Sequence, residues 1–190
     1  MVRLNRIYTR TGDEGLTGLA DGSRISKAHP RAQAIGDVDE ANSAIGIAAL
    51  HVTGADHRRM LQAIQNEMFD LGADLATPGD DFAPGEMTLR IVQPQIDRLE
   101  AEIDSMNAAL EPLRSFILPG GAAGSAHLHL ARAIVRRAER SAVAAAAEVA
   151  LNPLALIYLN RLSDHLFVLA RLVAAGAGGD ILWQPGATRG

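Results

Sequence analysis

The chain predicts an all-α fold: a left-handed, up-down bundle of five helices behind an extended N-terminal segment. Three observations carry that prediction. Apolar residues recur at steps of three and four through most of residues 37–175, the period of an amphipathic helix. The composition is 48% hydrophobic but only 4% aromatic, so a core must be built from Leu, Ile, Val and Ala, which favours helix packing over a sandwich or barrel. The sole strand-like stretch is a short one at Arg6–Tyr8. A length of 190 residues fits a single domain of ordinary size.

Residues 1–35 are rich in Gly, Thr and charge and carry no helical apolar stripe. From Asp37 the pattern changes: Val38, Ala41, Ile45, Ala48 and Val52 define a first helix that ends near Gly54. Asp37, Asp39 and Glu40 would open it, where acids complement the helix dipole. Asp56 is placed to cap a second helix, with Leu61, Ile64, Met68, Leu71 and Leu75 on one face. Thr77-Pro-Gly-Asp-Asp stops it. The third helix has the most regular seam, Leu89, Val92, Ile96, Leu99, Ile103, Met106 and Leu110, with coiled-coil-like spacing. A break at Leu118-Pro-Gly-Gly-Ala-Ala-Gly precedes a fourth helix over about Ser125–Ala150, whose buried face of Ala131, Ala138, Ala142 and Ala145 permits close approach. Asn152-Pro153 turns the chain, Pro153 taking an N-terminal helical position. The fifth helix carries Leu159, Leu162, Leu166, Leu169 and Val173. The tail from Gly176 to Gly190 is turn-rich, with Trp183 as its expected anchor.

Composition removes several function classes. The formal charge is −4, so the broad basic surface of a nucleic-acid binder is absent. With no cysteine there are no disulfides, thiolate metal sites or cysteine nucleophiles. No run approaches the ~18 apolar residues of a membrane span, and the start has no signal-peptide core. These points lead us to expect a cytoplasmic protein with no membrane role. Glu-x-x-His pairs, which a two-metal bundle would need, do not occur. His127 and His129 point to different sides of their helix, and His165 reads as a surface or interface residue.

Four features remain for chemistry. In Ala131-Arg-Ala-Ile-Val-Arg-Arg-Ala-Glu-Arg140, Arg132 and Arg136 stand one turn apart on one side, with Arg137, Glu139 and Arg140 in the next turn. Guanidiniums about 5–6 Å apart repel unless an anion lies between them. A polyphosphate suits that cluster best; a solvated basic face is the alternative. Thr9-Arg-Thr-Gly-Asp-Glu-Gly-Leu-Thr-Gly18 could aim backbone N–H groups and hydroxyls at an anion. It lacks the Gly-Lys-Ser/Thr ending of a Walker loop. Asn160 and Asp164 share one side of the last helix, and Phe116 precedes a tight turn, where core packing is its ordinary role.

Six blocks then combine: Tyr8-Thr-Arg-Thr-Gly-Asp-Glu-Gly, Gly36-Asp-Val-Asp-Glu-Ala-Asn-Ser, Phe69-Asp-Leu-Gly-Ala-Asp-Leu-Ala-Thr-Pro, Phe116-Ile-Leu-Pro-Gly-Gly, the arginine block 131–140, and Tyr158-Leu-Asn-Arg-Leu-Ser-Asp-His-Leu-Phe-Val-Leu-Ala-Arg. In this order, over nearly the whole chain, they resemble the PduO-type ATP:cob(I)alamin adenosyltransferases. Gln33, Ile35 and Ala41 depart from the family's usual Glu, aromatic and Leu.

The resemblance implies transfer of the 5′-deoxyadenosyl group of ATP to the cobalt of a corrinoid, with release of triphosphate. It implies ATP with Mg²⁺ and cob(I)alamin as ligands, and a homotrimer with each site between two subunits. A reductase and an adenosylcobalamin-dependent acceptor enzyme are the further partners it brings in. Carried over by block, the ATP site would comprise Thr9, Arg10, Thr11, Gly12, Thr17, Gly18, Lys27, Arg136, Arg137, Glu139, Arg140 and Asn160. Arg132 would pair with Asp39 across the interface, and Phe116 would keep the lower axial ligand off cobalt. Arg136 would hold the departing triphosphate, whereas Arg171 would lie outside the site and tolerate replacement. The whole chain would be one such domain: an ATP-binding segment (1–35), the bundle (37–175) and the tail (176–190). A non-catalytic ATP-binding regulatory bundle and a structural helical scaffold are the alternative readings.

Overall fold

The computed structural model describes residues 8–86 and 88–189. Five helices account for most of them: α1 Pro30–His51, α2 Ala55–Leu75, α3 Gln93–Asn107, α4 Ala123–Ala146 and α5 Pro153–Ala175. Each runs opposite to the one before it. Asp37 meets Ser141 at one end of α1 and α4, and His51 stacks on His127 at the other. The α2 side chains Glu67 and Asp74 meet Arg98 and Arg90 of the following segment in reverse order. They also meet Tyr158 of α5 and Asn152, the residue that caps α5, in reverse order. One buried cluster draws on all five helices, from Val38 and Leu61 through Ile96 and Leu128 to Leu159.

The second and fifth helices bury the faces their periodicity predicts, including Leu61, Ile64, Met68, Leu71 and Leu75 on α2. The first helix starts at Pro30, seven residues before Asp37. His29 caps it by accepting a hydrogen bond from the Arg31 N–H at 3.0 Å, and Pro30 pre-sets the first turn. Histidine is not among the usual caps, and Gly36 reads as a breaker, so Asp37 looked like the start. Asp37, Asp39 and Glu40 consequently lie in the second and third turns, beyond the reach of the N-terminal dipole. The second helix is preceded by Gly54 at φ 98°, not capped by Asp56, which sits inside the first turn and pairs with Arg59.

The third helix is shorter than its seam. Leu89 lies before it and is 54% exposed, and only Ile96, Leu99 and Met106 on the helix are fully buried. The regular spacing continued into segments whose backbone is tied elsewhere, as Ile91 N–H is to Asp74. The strand expected at Arg6–Tyr8 falls partly outside the described residues, and Tyr8 is in none. Instead β1 (Leu16–Gly18) and β2 (Arg24–Ser26) form an antiparallel hairpin, Thr17 opposite Ile25. It docks on the end of α2 through Ala20 N–H to the Ala76 carbonyl at 2.9 Å. Three-residue strands are too short to leave a period-two signature.

Close helix approach has its own sequence requirement. A Cβ on Gly46 would lie 2.9 Å from Gln65 Nε2, where α1 and α2 exchange Asn42–Gln65 hydrogen bonds. A Cβ on Gly124 would lie 2.6 Å from the His51 carbonyl oxygen, so α4 could not begin against the end of α1 with any larger residue.

His165 is fully buried, not a surface residue; its Nε2 lies 2.7 Å from Glu102 Oε2. Burial raises the Glu102 carboxyl pKa, but bonds from His165 and Arg98 outweigh it and hold the group below its ordinary value. Among the described residues no helix is long and apolar enough to cross a membrane.

Candidate active site

The N-terminal residues gather into a folded loop. Thr9 and Thr11 hydroxyls lie 2.9 Å apart, and Arg10 between them takes φ 63°, a left-handed conformation unusual for a residue with a Cβ. Arg24 closes the loop, its Nη2 donating to the carbonyls of Thr11 at 2.5 Å and Leu16 at 3.3 Å. Lys27 reaches over Gly12, where a Cβ would stand 3.1 Å from Nζ. Thr17 and Gly18 continue into the hairpin. Sequence marks Arg24 only as added positive charge near the loop; its role as loop organiser depends on a hairpin too short to predict.

The α4 cluster divides by partner. Arg137 turns toward α1, pairing with Glu40 and lying 3.9 Å from Asp37; the Glu40 bond leads in raising its pKa. Glu139 accepts a hydrogen bond from Asn160 of α5 at 3.0 Å, joining two predicted site residues. The exposed Arg136 and Arg140 side chains have no carboxylate partner among the described residues, although Arg140 caps the Arg136 carbonyl at 3.2 Å. No described hydrogen bond or ion pair connects this cluster to the N-terminal loop.

Arg132 lies toward the opposite end of the row. Its guanidinium sits 5.9 Å from the Phe167 ring centre, while its Nε is buried with no hydrogen-bond partner. Burial first, and the Arg136 charge second, lower its pKa. His129, one turn earlier and 4% exposed, packs edge-on to Phe167. Burial, then the Arg132 charge, lowers its pKa and favours the neutral ring.

Arg132 and Phe167 border a cavity of about 720 Å³, lined also by Leu113, Arg114, Ser115, Phe116, Ile117 and Trp183. Phe116 is 77% exposed, which excludes an ordinary core role. The tail forms the outer wall by pairing with the loop before α4. Leu118 N–H donates to Ile181 O and Trp183 N–H to Phe116 O, both at 2.8 Å, and the Trp183 ring meets Phe116 edge-on at 5.9 Å. Trp183 is thus an anchor as expected, but one that builds the cavity. The apolar triplet Ile181-Leu-Trp in a glycine-rich tail was its only sequence signal.

Arg171 also supports this cavity instead of standing apart from it. It is 7% exposed, bonds Asp180 at 3.0 Å and donates to the Glu111 carbonyl at 2.8 Å, tying α5 to both the tail and the loop.

Asp39 is exposed and lines a separate cavity of about 420 Å³ on the α1–α2 face, with Ile35, Met68 and Phe69. Phe69 is 71% exposed. The two cavities share no lining residue. Asp39 and Arg132 form no ion pair within the chain, and neither carries another charged partner among the described residues. Among the described residues no group of three or more His, Asp or Glu side chains could hold a metal ion.

Comparison with known proteins gives this geometry a context. The chain is 53% identical over 191 residues to a corrinoid adenosyltransferase of Mycobacterium tuberculosis, covering 99% of this chain and 97% of that one. It is 49% identical over 184 residues to a cobalamin adenosyltransferase of Cupriavidus metallidurans, covering 96% of each. Its backbone matches a variant PduO-type ATP:corrinoid adenosyltransferase from Lactobacillus reuteri, solved with cobalamin and ATP. The TM-score there is 0.86, at 36% identity over 95% of this chain and 97% of that one. The family model described as cobalamin adenosyltransferase matches residues 7–173, and the chain belongs to that family.

Proposed function

We infer that the chain transfers the 5′-deoxyadenosyl group of ATP to the cobalt of cob(I)alamin, giving adenosylcobalamin and triphosphate. The observation that carries this reading is the cavity lined by the exposed Phe116 and by Arg132, on the helix that also carries the exposed guanidiniums of Arg136 and Arg140. A broad apolar wall suits a flat macrocycle, and the cations suit a polyphosphate.

The bond changes explain what the protein is left to do. The electron pair on Co(I) forms the Co–C5′ bond; the C5′–O bond breaks and its pair leaves with triphosphate. Cob(I)alamin is itself a strong nucleophile, so no side-chain nucleophile is needed. The residues must hold C5′ in line with cobalt and stabilise the charge on the leaving group. Arg136 and Arg140 take the second task, while Lys27 and the Thr9–Gly12 loop hold the rest of the nucleotide together with Thr17 and Gly18. The Glu139–Asn160 pair fixes the adjoining helix faces, and Arg137, held by Glu40, borders the site. Mg²⁺ would accompany ATP, held by phosphate oxygens and water.

The protein would act as a homotrimer. Asp39 of one subunit pairs with Arg132 of the next, which joins the α1–α2 cavity to the Phe116 cavity as two halves of one site. The unpartnered charges of both residues support this arrangement. Phe116 excludes the lower axial ligand, easing reduction of the Co(II) precursor. The whole chain would work as a single domain in the cytoplasm, receiving reduced corrinoid from a reductase and supplying an adenosylcobalamin-dependent enzyme.

The test is incubation with ATP and chemically reduced cobalamin. The expected result is the spectrum of adenosylcobalamin with an equivalent of triphosphate. ATP binding without either product would indicate a regulatory bundle, and no ATP-dependent thermal shift a scaffold.

A further inference from the structure

We propose that Arg114 binds the phosphodiester of the corrinoid's lower nucleotide loop, and that it biases the enzyme toward corrinoids that carry this loop. The inference rests on the adenosyl-transfer reading. Its starting point is the charge of the Phe116 cavity: the lining holds two cations, Arg114 and Arg132, and no carboxylate. Arg132 is packed on Phe167 and assigned to Asp39 of the adjoining subunit. Arg114 is exposed and has no ion-pair partner among the described residues. The cavity therefore keeps one uncompensated guanidinium.

The chemistry of the occupant supplies one matching anion. The peripheral substituents of a cobalamin ring are neutral amides, and the phosphodiester that links the ring to its lower base carries the negative charge. That loop hangs from the lower face of the macrocycle, the face Phe116 is assigned to guard. Arg114 stands two residues before Phe116 and lines the same cavity. Two residues of chain span at most about 7 Å, and the arginine side chain adds comparable reach. The guanidinium fork matches phosphate oxygens in shape as well as charge.

The experiment compares cob(I)alamin with cob(I)inamide, which lacks the nucleotide loop, both chemically reduced before mixing. In the Co(I) state the lower base is already off the metal, so ligand displacement by Phe116 does not contribute to the comparison. Arg114→Ala should raise KM for cob(I)alamin about fivefold and leave KM for cob(I)inamide and both kcat values within about twofold. Arg114→Lys should recover part of the loss. In the wild type, the preference for cob(I)alamin should shrink as ionic strength rises toward about 0.5 M, a readout that does not depend on any variant folding. Equal KM changes on both corrinoids, or a wild-type preference indifferent to salt, would overturn the assignment. A wild type that converts neither corrinoid would overturn the adenosyl-transfer reading and this subsite with it.

Discussion

Arg132, Arg136, Arg137 and Arg140 share one helix, but their surroundings give them different work. Arg137 is neutralised by Glu40 and Asp37, Arg132 is partly buried and unpaired, and Arg136 and Arg140 face outward without a carboxylate. Sequence marked the cluster as an anion site, but the division follows from which neighbouring helix each side chain meets. Arg136→Ala should cost about 2–5 kcal/mol of binding to the leaving triphosphate, a fall of about thirtyfold or more in kcat/KM. Activity within a few-fold of wild type at saturating ATP would contradict its role. Arg171 cannot serve as the neutral control, because its two bonds hold the cavity walls; exposed Arg59, paired only with Asp56, can. Phe116 gives a second discrimination. At 77% exposure, its replacement by Ala should change thermal stability little. Starting from Co(II) with a common reductant, it should slow a corrinoid bearing a lower base more than one without. Equal losses on both would remove the ligand-displacing role.

Elements show why some of the fold was legible and some was not. The α2 and α5 stripes were read correctly because each is a long, uninterrupted amphipathic pattern whose buried face is set by local spacing. The start of α1 was misplaced because a His29 cap and Gly36 send the opposite local signal from the one tertiary packing selects. The loop before α4 and the tail carried no periodic pattern, yet they pair through Leu118 and Trp183 to make the cavity wall. Arg171 connects this pairing to α5, and a buried arginine bonded at both ends is invisible to periodicity. Arg171→Ala would leave Asp180 without its cation and free the Glu111 carbonyl. Breaking a buried pair from one side typically costs about 3–5 kcal/mol. We expect a lower Tm and a raised KM for corrinoid, with KM for ATP little changed because the residues proposed to bind the nucleotide do not line this cavity. An equal rise in both KM values would indicate general loosening of the bundle, not loss of one wall.

At the scale of the whole molecule, one chain presents two separate cavities, which the proposed trimer would join as halves of one site. The Arg132 cavity and the Asp39 cavity share no lining residue, and each has an unpartnered charge of opposite sign. The family resemblance implied that the two residues meet only across an interface, whereas spacing along the chain does not by itself give the face of the folded bundle on which each lies. The account requires that subunits bring the halves together. Asp39→Ala and Arg132→Ala should each depress turnover. The most direct test is to unfold and refold the two mutants together, verify mixed trimers by mass spectrometry, and assay adenosylation. An interface in which the Arg132→Ala chain supplies Asp39 and the Asp39→Ala chain supplies Arg132 has both native partners. The account predicts activity above either mutant alone; mixed trimers with no recovery would contradict it by placing the two residues in one subunit or outside the site.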